Sequence, residues 1–143
     1  MSAQKRPCPE PESDLRAPTV LVAEDEVLIR TMLAQHLRDA GFRVVEAANA
    51  REATDIMEAG ETVDVLFTDV RMPGENDGVW LAQLVQQNYP AVRIVLASGE
   101  RDVGQAIVGA KLFSKPYDLD LVENHIRHLL AAAREPALWE ESD

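Results

Sequence analysis

Five short apolar runs alternate along this chain with segments of helical periodicity, and four of them break off into charged or hydroxyl side chains. The first, Thr19-Val20-Leu21-Val22-Ala23, ends in Glu24-Asp25-Glu26. The third, Val63 to Thr68, ends in Asp69 and continues as Val70-Arg71-Met72-Pro73-Gly74. The fourth, Arg93-Ile94-Val95-Leu96-Ala97, ends in Ser98. The fifth, Leu112-Phe113-Ser114, ends in Lys115-Pro116. Runs this short and apolar read as strands buried on both faces, the pattern of a parallel sheet. Strands that alternate with helices connect by right-handed crossovers and place helices on both sides of the sheet.

The strands are predicted at 19–24, 42–46, 63–68, 92–97 and 111–114. Helix one is predicted over about 26–40, with Val27, Leu28, Met32, Leu33 and Leu37 as its apolar face and Gly41 as its C-cap. Asn49 followed by Glu52 is a capping-box start for helix two, which Gly60 stops. Helix three spans 78–88 with Val79, Leu81, Leu84 and Val85 inward. Asp118 caps a last helix over 119–133, with Leu119, Val122, Ile126, Leu129 and Leu130 on one side. These elements predict a flavodoxin-like three-layer α/β sandwich, sheet order 2-1-3-4-5, with about five helices. The helix after Ser98 is expected to be short or irregular, because Gly104 and Gly109 interrupt it and each glycine costs a helix about 1 kcal/mol relative to alanine. Residues 1–18, with Pro7, Pro9, Pro11 and Pro18, read as a disordered arm. Residues 19–133 form the domain, and 134–143 an acidic tail.

The net charge is −11, which argues against nucleic-acid phosphates and anionic membrane as partners. No apolar stretch is long enough to span a bilayer, and no signal-peptide core follows Lys5 and Arg6. Cys8 is the sole cysteine and cannot form an internal disulfide. A cytoplasmic protein is expected.

In open parallel sheets, sites form outside the carboxyl ends of the strands, at the switch point. Here that lies between strands one and three, which places Glu24-Asp25 beside Asp69. Crowded carboxylates repel, and one pKa rises unless a cation neutralises them. Mg²⁺ prefers oxygen ligands and needs few from protein. Plainer readings exist for each residue. The acids at 24–26 suit a helix N-terminus, which accounts well for Glu26. Asp69 could serve a turn before Pro73-Gly74, Ser98 a turn before Gly99, and Lys115 the surface. Singly each is credible, but their convergence on one sheet edge is not explained that way. His36, His125 and His128 lie in amphipathic helices and read as structural or solvent-facing, not as ligands.

Taken in order, Glu24-Asp25, Thr68 to Gly74, Asp77-Gly78, Ser98-Gly99 and Lys115-Pro116 resemble the receiver domain of two-component response regulators, the CheY-like family. The resemblance covers roughly residues 18–133. In its longer loop from Asp69 to Asp77 the chain is similar to receivers of hybrid histidine kinases. The resemblance implies that Asp69 is phosphorylated, with Ser98 and Lys115 contacting the phosphoryl oxygens. It implies Mg²⁺ contact from Asp25, Asp69 and the Arg71 main-chain carbonyl, with Glu24 acting directly or through water. The chain departs from the pattern in places. Glu24 stands where Asp is common, and Ser98 replaces the more frequent Thr. The stretch from Ser98 to Lys115 is several residues shorter than usual. Leu112 occupies the position of the switch aromatic, with Phe113 one later.

The function so implied is a stand-alone response regulator, a phosphoacceptor signalling domain and not an enzyme beyond its own autophosphorylation and autodephosphorylation. A sensor histidine kinase or histidine phosphotransfer protein would supply the phosphoryl group, and a downstream protein would read it. Neither nucleic acid nor membrane is expected as a partner, and the chain is expected to be a monomer or weak dimer. The shortened segment moves partner recognition towards helix one or the ends of the last helix. Arg71 and Glu100 are expected to form a loose ion pair across the site mouth. Two other classes are weaker. An aspartate-nucleophile phosphatase needs a second acid where Arg71 stands. A flavodoxin-like binding module needs a phosphate cradle where Glu24-Asp25-Glu26 stand.

Overall fold

The computed structural model describes residues 17–74, 76–99, 107 and 109–133. Its elements are β1 (Thr19–Ala23), α1 (Val27–Asp39), β2 (Arg43–Ala47), α2 (Ala50–Glu58), β3 (Val65–Asp69), α3 (Gly78–Asn88), β4 (Arg93–Ser98), β5 (Lys111–Ser114) and α4 (Leu119–Ala133). The strands are parallel in the order β2-β1-β3-β4-β5, as the alternation of runs and helices predicts. The segment expected to hold a helix after Ser98, and with it Glu100, lies outside the described residues except for Ile107 and Gly109.

Residues alternate between the two faces of the sheet. Leu21, Leu66 and Leu96 pack with Ala53 and Met57 of α2 and Leu81 and Val85 of α3. Val20, Val22, Val65, Phe67 and Val95 pack with Leu33 and Leu37 of α1 and Val122 and Ile126 of α4. Burying each large side chain contributes about 1.5–3 kcal/mol, so the central strands are the rigid platform of the domain.

The helix ends follow their capping residues. Asn49 Oδ1 accepts the Glu52 N–H at 2.8 Å, and Glu52 Oε1 accepts the Ala48 N–H at 2.8 Å, a reciprocal cap. Gly41 has φ 104° and turns the chain from α1 into β2 in a conformation that disfavours any side chain.

The apolar face predicted for helix one needs correction. Leu33, Ala34 and Leu37 are buried, whereas Val27, Leu28 and Met32 are 64%, 71% and 52% exposed. Leu28 and Met32, four residues apart, share a face of their own, turned away from that of Leu33 and Leu37. Both stripes repeat at helical spacing, so the spacing does not separate the buried one from the exposed one. Small shifts at strand ends also matter. β1 stops at Ala23, and β3 runs to Asp69, which pairs opposite Ala97. No helix among the described residues is long and apolar enough to cross a membrane.

Candidate functional site

Each site residue sits where a buried strand runs out. Glu24 directly follows β1 and is fully buried. Its N–H donates to Ala47 O at 3.0 Å, and its own carbonyl accepts Arg30 Nη1 at 2.9 Å. Asp69 closes β3 and is 5% exposed. Its Oδ2 accepts a hydrogen bond from Lys115 Nζ at 2.8 Å, and its Oδ1 a long one from the Arg71 N–H at 3.4 Å. Ser98 closes β4 and is buried, and its carbonyl accepts the Lys115 N–H at 2.8 Å. That bond seats Lys115 beside Ser98, and the Lys115–Pro116 peptide is cis.

A cleft of about 290 Å³ lies among these strand ends, lined by Asp25, Asp69, Arg71, Ser98 and Lys115, with Glu26 and Gly99 at its border. The structure therefore gathers Asp25, Asp69, Arg71, Ser98 and Lys115 around one space, with Glu24 buried behind it. Glu26 does more than bias a helix terminus. It holds the N-cap position of α1 but makes no side-chain cap hydrogen bond, and its Oε1 comes within 3.8 Å of Lys115 Nζ.

Lys115 is the cation among these acids. Its ammonium is 2.8 Å from Asp69 Oδ2 and 2.9 Å from Glu24 Oε1. Burial works against its charge, but hydrogen bonding to Asp69 and Glu24 outweighs that and holds the lysine pKa above its usual range. Burial raises the pKa of Glu24. The Lys115 contact and the Glu26 N–H oppose the rise, and the Asp69 charge adds to it. Glu24 Oε2 accepts the Glu26 N–H at 3.1 Å. Its Oε1, also buried, is the oxygen that faces the Lys115 ammonium at 2.9 Å. Oxygens of Glu24, Asp25 and Asp69 lie within 4.8 Å of one another. This donor set is all hard oxygen and carries an excess of negative charge, so it suits Mg²⁺.

The back of the site is built by α3. Thr68 Oγ1 donates to Asp69 O at 3.0 Å, and the Gly78 N–H donates to Val70 O at 2.9 Å. The first turn of α3 presses so closely on β3 that a methyl group at Gly78 would collide with the Asp69 carbonyl. Asp77 Oδ1 caps this helix by accepting the Trp80 N–H at 3.1 Å. Sequence reasoning found Asp77-Gly78 as a motif but not this contact, which arises from tertiary packing. It also passed over Tyr117. That ring stands edge-on to Phe67 at 5.5 Å, and its buried hydroxyl has no hydrogen-bond partner among the described residues. Burial, then the Glu24 charge, pushes the phenol pKa up.

The sequence matches the response regulator receiver domain over residues 20–127. The chain belongs to that family. Receiver domains are the phosphoacceptor domains of two-component signalling. A cyclic di-GMP phosphodiesterase of Thermotoga maritima is 32% identical over 117 residues, which are 78% of this chain and 31% of that protein. The chain spans less than a third of the curated relatives it matches. Among solved structures, a response regulator receiver protein from Sinorhizobium medicae superposes with a TM-score of 0.78 at 26% identity, covering 83% of this chain and 98% of that one. The receiver domain of the hybrid histidine kinase CckA gives 0.67 at 31% identity, covering 77% and 96%.

Proposed function

We propose that this receiver accepts a phosphoryl group on Asp69 from a phosphohistidine of a histidine kinase or phosphotransfer protein. The observation that carries the reading is the unequal holding of the Asp69 carboxylate. Oδ2 is pinned by Lys115 at 2.8 Å, while among the described residues Oδ1 has only the long 3.4 Å contact from the Arg71 N–H. Oδ1 is the nucleophile. As its bond to phosphorus forms, the nitrogen–phosphorus bond breaks and the imidazole keeps the electron pair. Transfer of this kind depends on positioning and charge stabilisation more than on covalent chemistry. Mg²⁺, held by Asp25, Asp69 and the Arg71 carbonyl with Glu24 behind them, would supply charge neutralisation at the transferring oxygens. Lys115 pairs with one phosphoryl oxygen and the Ser98 hydroxyl donates to another. Those two contacts exist only in the modified protein, so they bias it towards a second conformation.

The donor protein docks on α1. The exposed Met32, one helical turn from the exposed Leu28, lines a cavity of about 460 Å³ together with Ile29, Pro116, Tyr117 and Leu119. That cavity shares Glu26, Gly99 and Lys115 with the acidic cleft, so a helix seated there brings its histidine to Asp69. Residues 19–133 act as the folded unit, in the cytoplasm, with output through protein contacts. Incubation with acetyl phosphate and Mg²⁺, followed by a phosphate-affinity gel, tests the reading. A Mg²⁺-dependent shifted band that disappears in Asp69→Ala is expected. No shift, or one that survives the substitution, would refute it.

A further inference from the structure

A second group of metal-ligating side chains lies between α1 and α4. His36 stands on α1, ten residues and so about 15 Å along the helix axis from Glu26. Asp120 and Glu123 are three apart on α4 and share one helix face. His36 Nε2 is 2.9 Å from Glu123 Oε1 and 3.3 Å from Asp120 Oδ1. One ligand atom from each of the three residues lies within 4.8 Å of the others.

Three features separate this group from a chance pairing of surface charges. The first is spacing. Around zinc, with bonds of about 2.0–2.2 Å, tetrahedral donors stand roughly 3.3–3.6 Å apart, so the His36–Asp120 pair at 3.3 Å already matches, and the His36–Glu123 pair at 2.9 Å has only to open by about half an ångström. The second is preorientation. Glu123 Oε2 accepts Arg127 Nε at 3.0 Å, and Arg127 is itself fixed by a 2.7 Å bond to Ala40 O and by stacking over the Phe42 ring at 5.0 Å. Oε1 is thereby turned to His36, as outer partners orient metal-bound carboxylates. The third is donor type. An imidazole nitrogen with two carboxylates suits a borderline dication, unlike the all-oxygen cluster at Asp69.

We propose that His36, Asp120 and Glu123 form a three-ligand site for a transition-metal dication of the Zn²⁺ class, with water completing the shell. The bound ion would clasp α1 to α4. Since α4 begins four residues after Lys115, the clasp would also restrain the segment that carries the site lysine. The nearby Arg127 charge and the exposure of Asp120, whose side chain is 79% exposed, make the binding reversible.

The test uses the full chain with saturating Mg²⁺ to cover the acidic cleft, and Zn²⁺ and Co²⁺ as probes. Calorimetry should find one equivalent of Zn²⁺, and Co²⁺ should develop visible absorption bands of a low-coordinate nitrogen–oxygen site. Both should persist in Asp25→Asn, Cys8→Ser and His128→Ala. His36→Ala and Glu123→Gln should each weaken binding by at least what losing an outer partner costs, roughly tenfold or more. Far-UV circular dichroism in EDTA establishes that the variants fold, and His36→Gln, closer in size, replaces His36→Ala if that protein melts. Zinc binding that survives both His36 variants, that is lost in Cys8→Ser, or that is absent from the wild-type chain at submillimolar Zn²⁺ overturns the proposal.

Discussion

Lys115 reaches across 46 positions of sequence to donate to Asp69 Oδ2 at 2.8 Å. The same ammonium lies 2.9 Å from Glu24 Oε1, so a residue just beyond β5 neutralises carboxylates at the ends of β1 and β3. With the lysine removed, the two buried acids lose the ammonium that pairs with both. Lys115→Ala should therefore lose stability in metal-free buffer, by about 3–5 kcal/mol as for other broken buried pairs. Added Mg²⁺ should restore part of the loss. Urea unfolding of both proteins with and without Mg²⁺ measures this, and equal midpoints in EDTA would remove Lys115 from its structural role.

Glu24 sets a pH dependence. Burial raises its pKa above the ordinary 4.5, so the folded chain binds that proton more tightly than the unfolded chain. The resulting stabilisation is complete below pH 4.5 and is lost as pH rises through the raised value. Metal-free protein should become less stable over that window, and Glu24→Gln should lack this component of the fall. Urea midpoints taken from about pH 4 to 8 test it. Identical slopes for the two proteins would assign the titration elsewhere.

Gly78 admits no side chain. An added methyl would meet the Asp69 carbonyl and the Thr68 hydroxyl, so either α3 or the end of β3 must move. Gly78→Ala should cost about 1–3 kcal/mol, the range for overpacked sites, and should slow phosphorylation of Asp69 by acetyl phosphate. A thermal melt and a rate measurement on one preparation suffice. A variant with wild-type values in both would show that α3 yields without disturbing Asp69.

The face of α1 that carries Leu28 and Met32 separates donor docking from chemistry. Both residues are more than half exposed, so Leu28→Ser with Met32→Ser should change stability little, about 0.5 kcal/mol per site. Phosphorylation by acetyl phosphate should be unchanged, and transfer from a phosphorylated donor protein should slow at least several-fold. Equal slowing with both donors would mean the substitutions disturb the site itself.

Much of the site was legible because of where it lies. Asp69, Ser98, Lys115 and the Glu24-Asp25 pair each interrupt an apolar run at its carboxyl end. A parallel sheet brings those ends to one edge whatever the details of packing. The exposed face of α1 was legible only in composition. Val27, Leu28 and Met32 repeat at helical spacing as well as Leu33 and Leu37 do, and spacing alone does not say which stripe meets the sheet. The three consecutive acids could have drawn Glu26 towards the cleft, but its contact with Lys115 depends on β5.

By itself the sequence determined the alternation of strand and helix, the parallel sheet that follows from it, the caps at Asn49 and Asp118, and the order of chemical groups along the sheet edge. These are local properties, set by the spacing of apolar residues and by side chains that satisfy nearby backbone groups. Only the tertiary structure decided which groups meet. It set the Lys115 ammonium between Glu24 and Asp69, put Gly78 against the Asp69 carbonyl, and brought His36 to Glu123 across 87 positions. Such contacts join separate elements whose relative placement comes from packing two helical layers onto one sheet, and no local pattern in the chain specifies their distances.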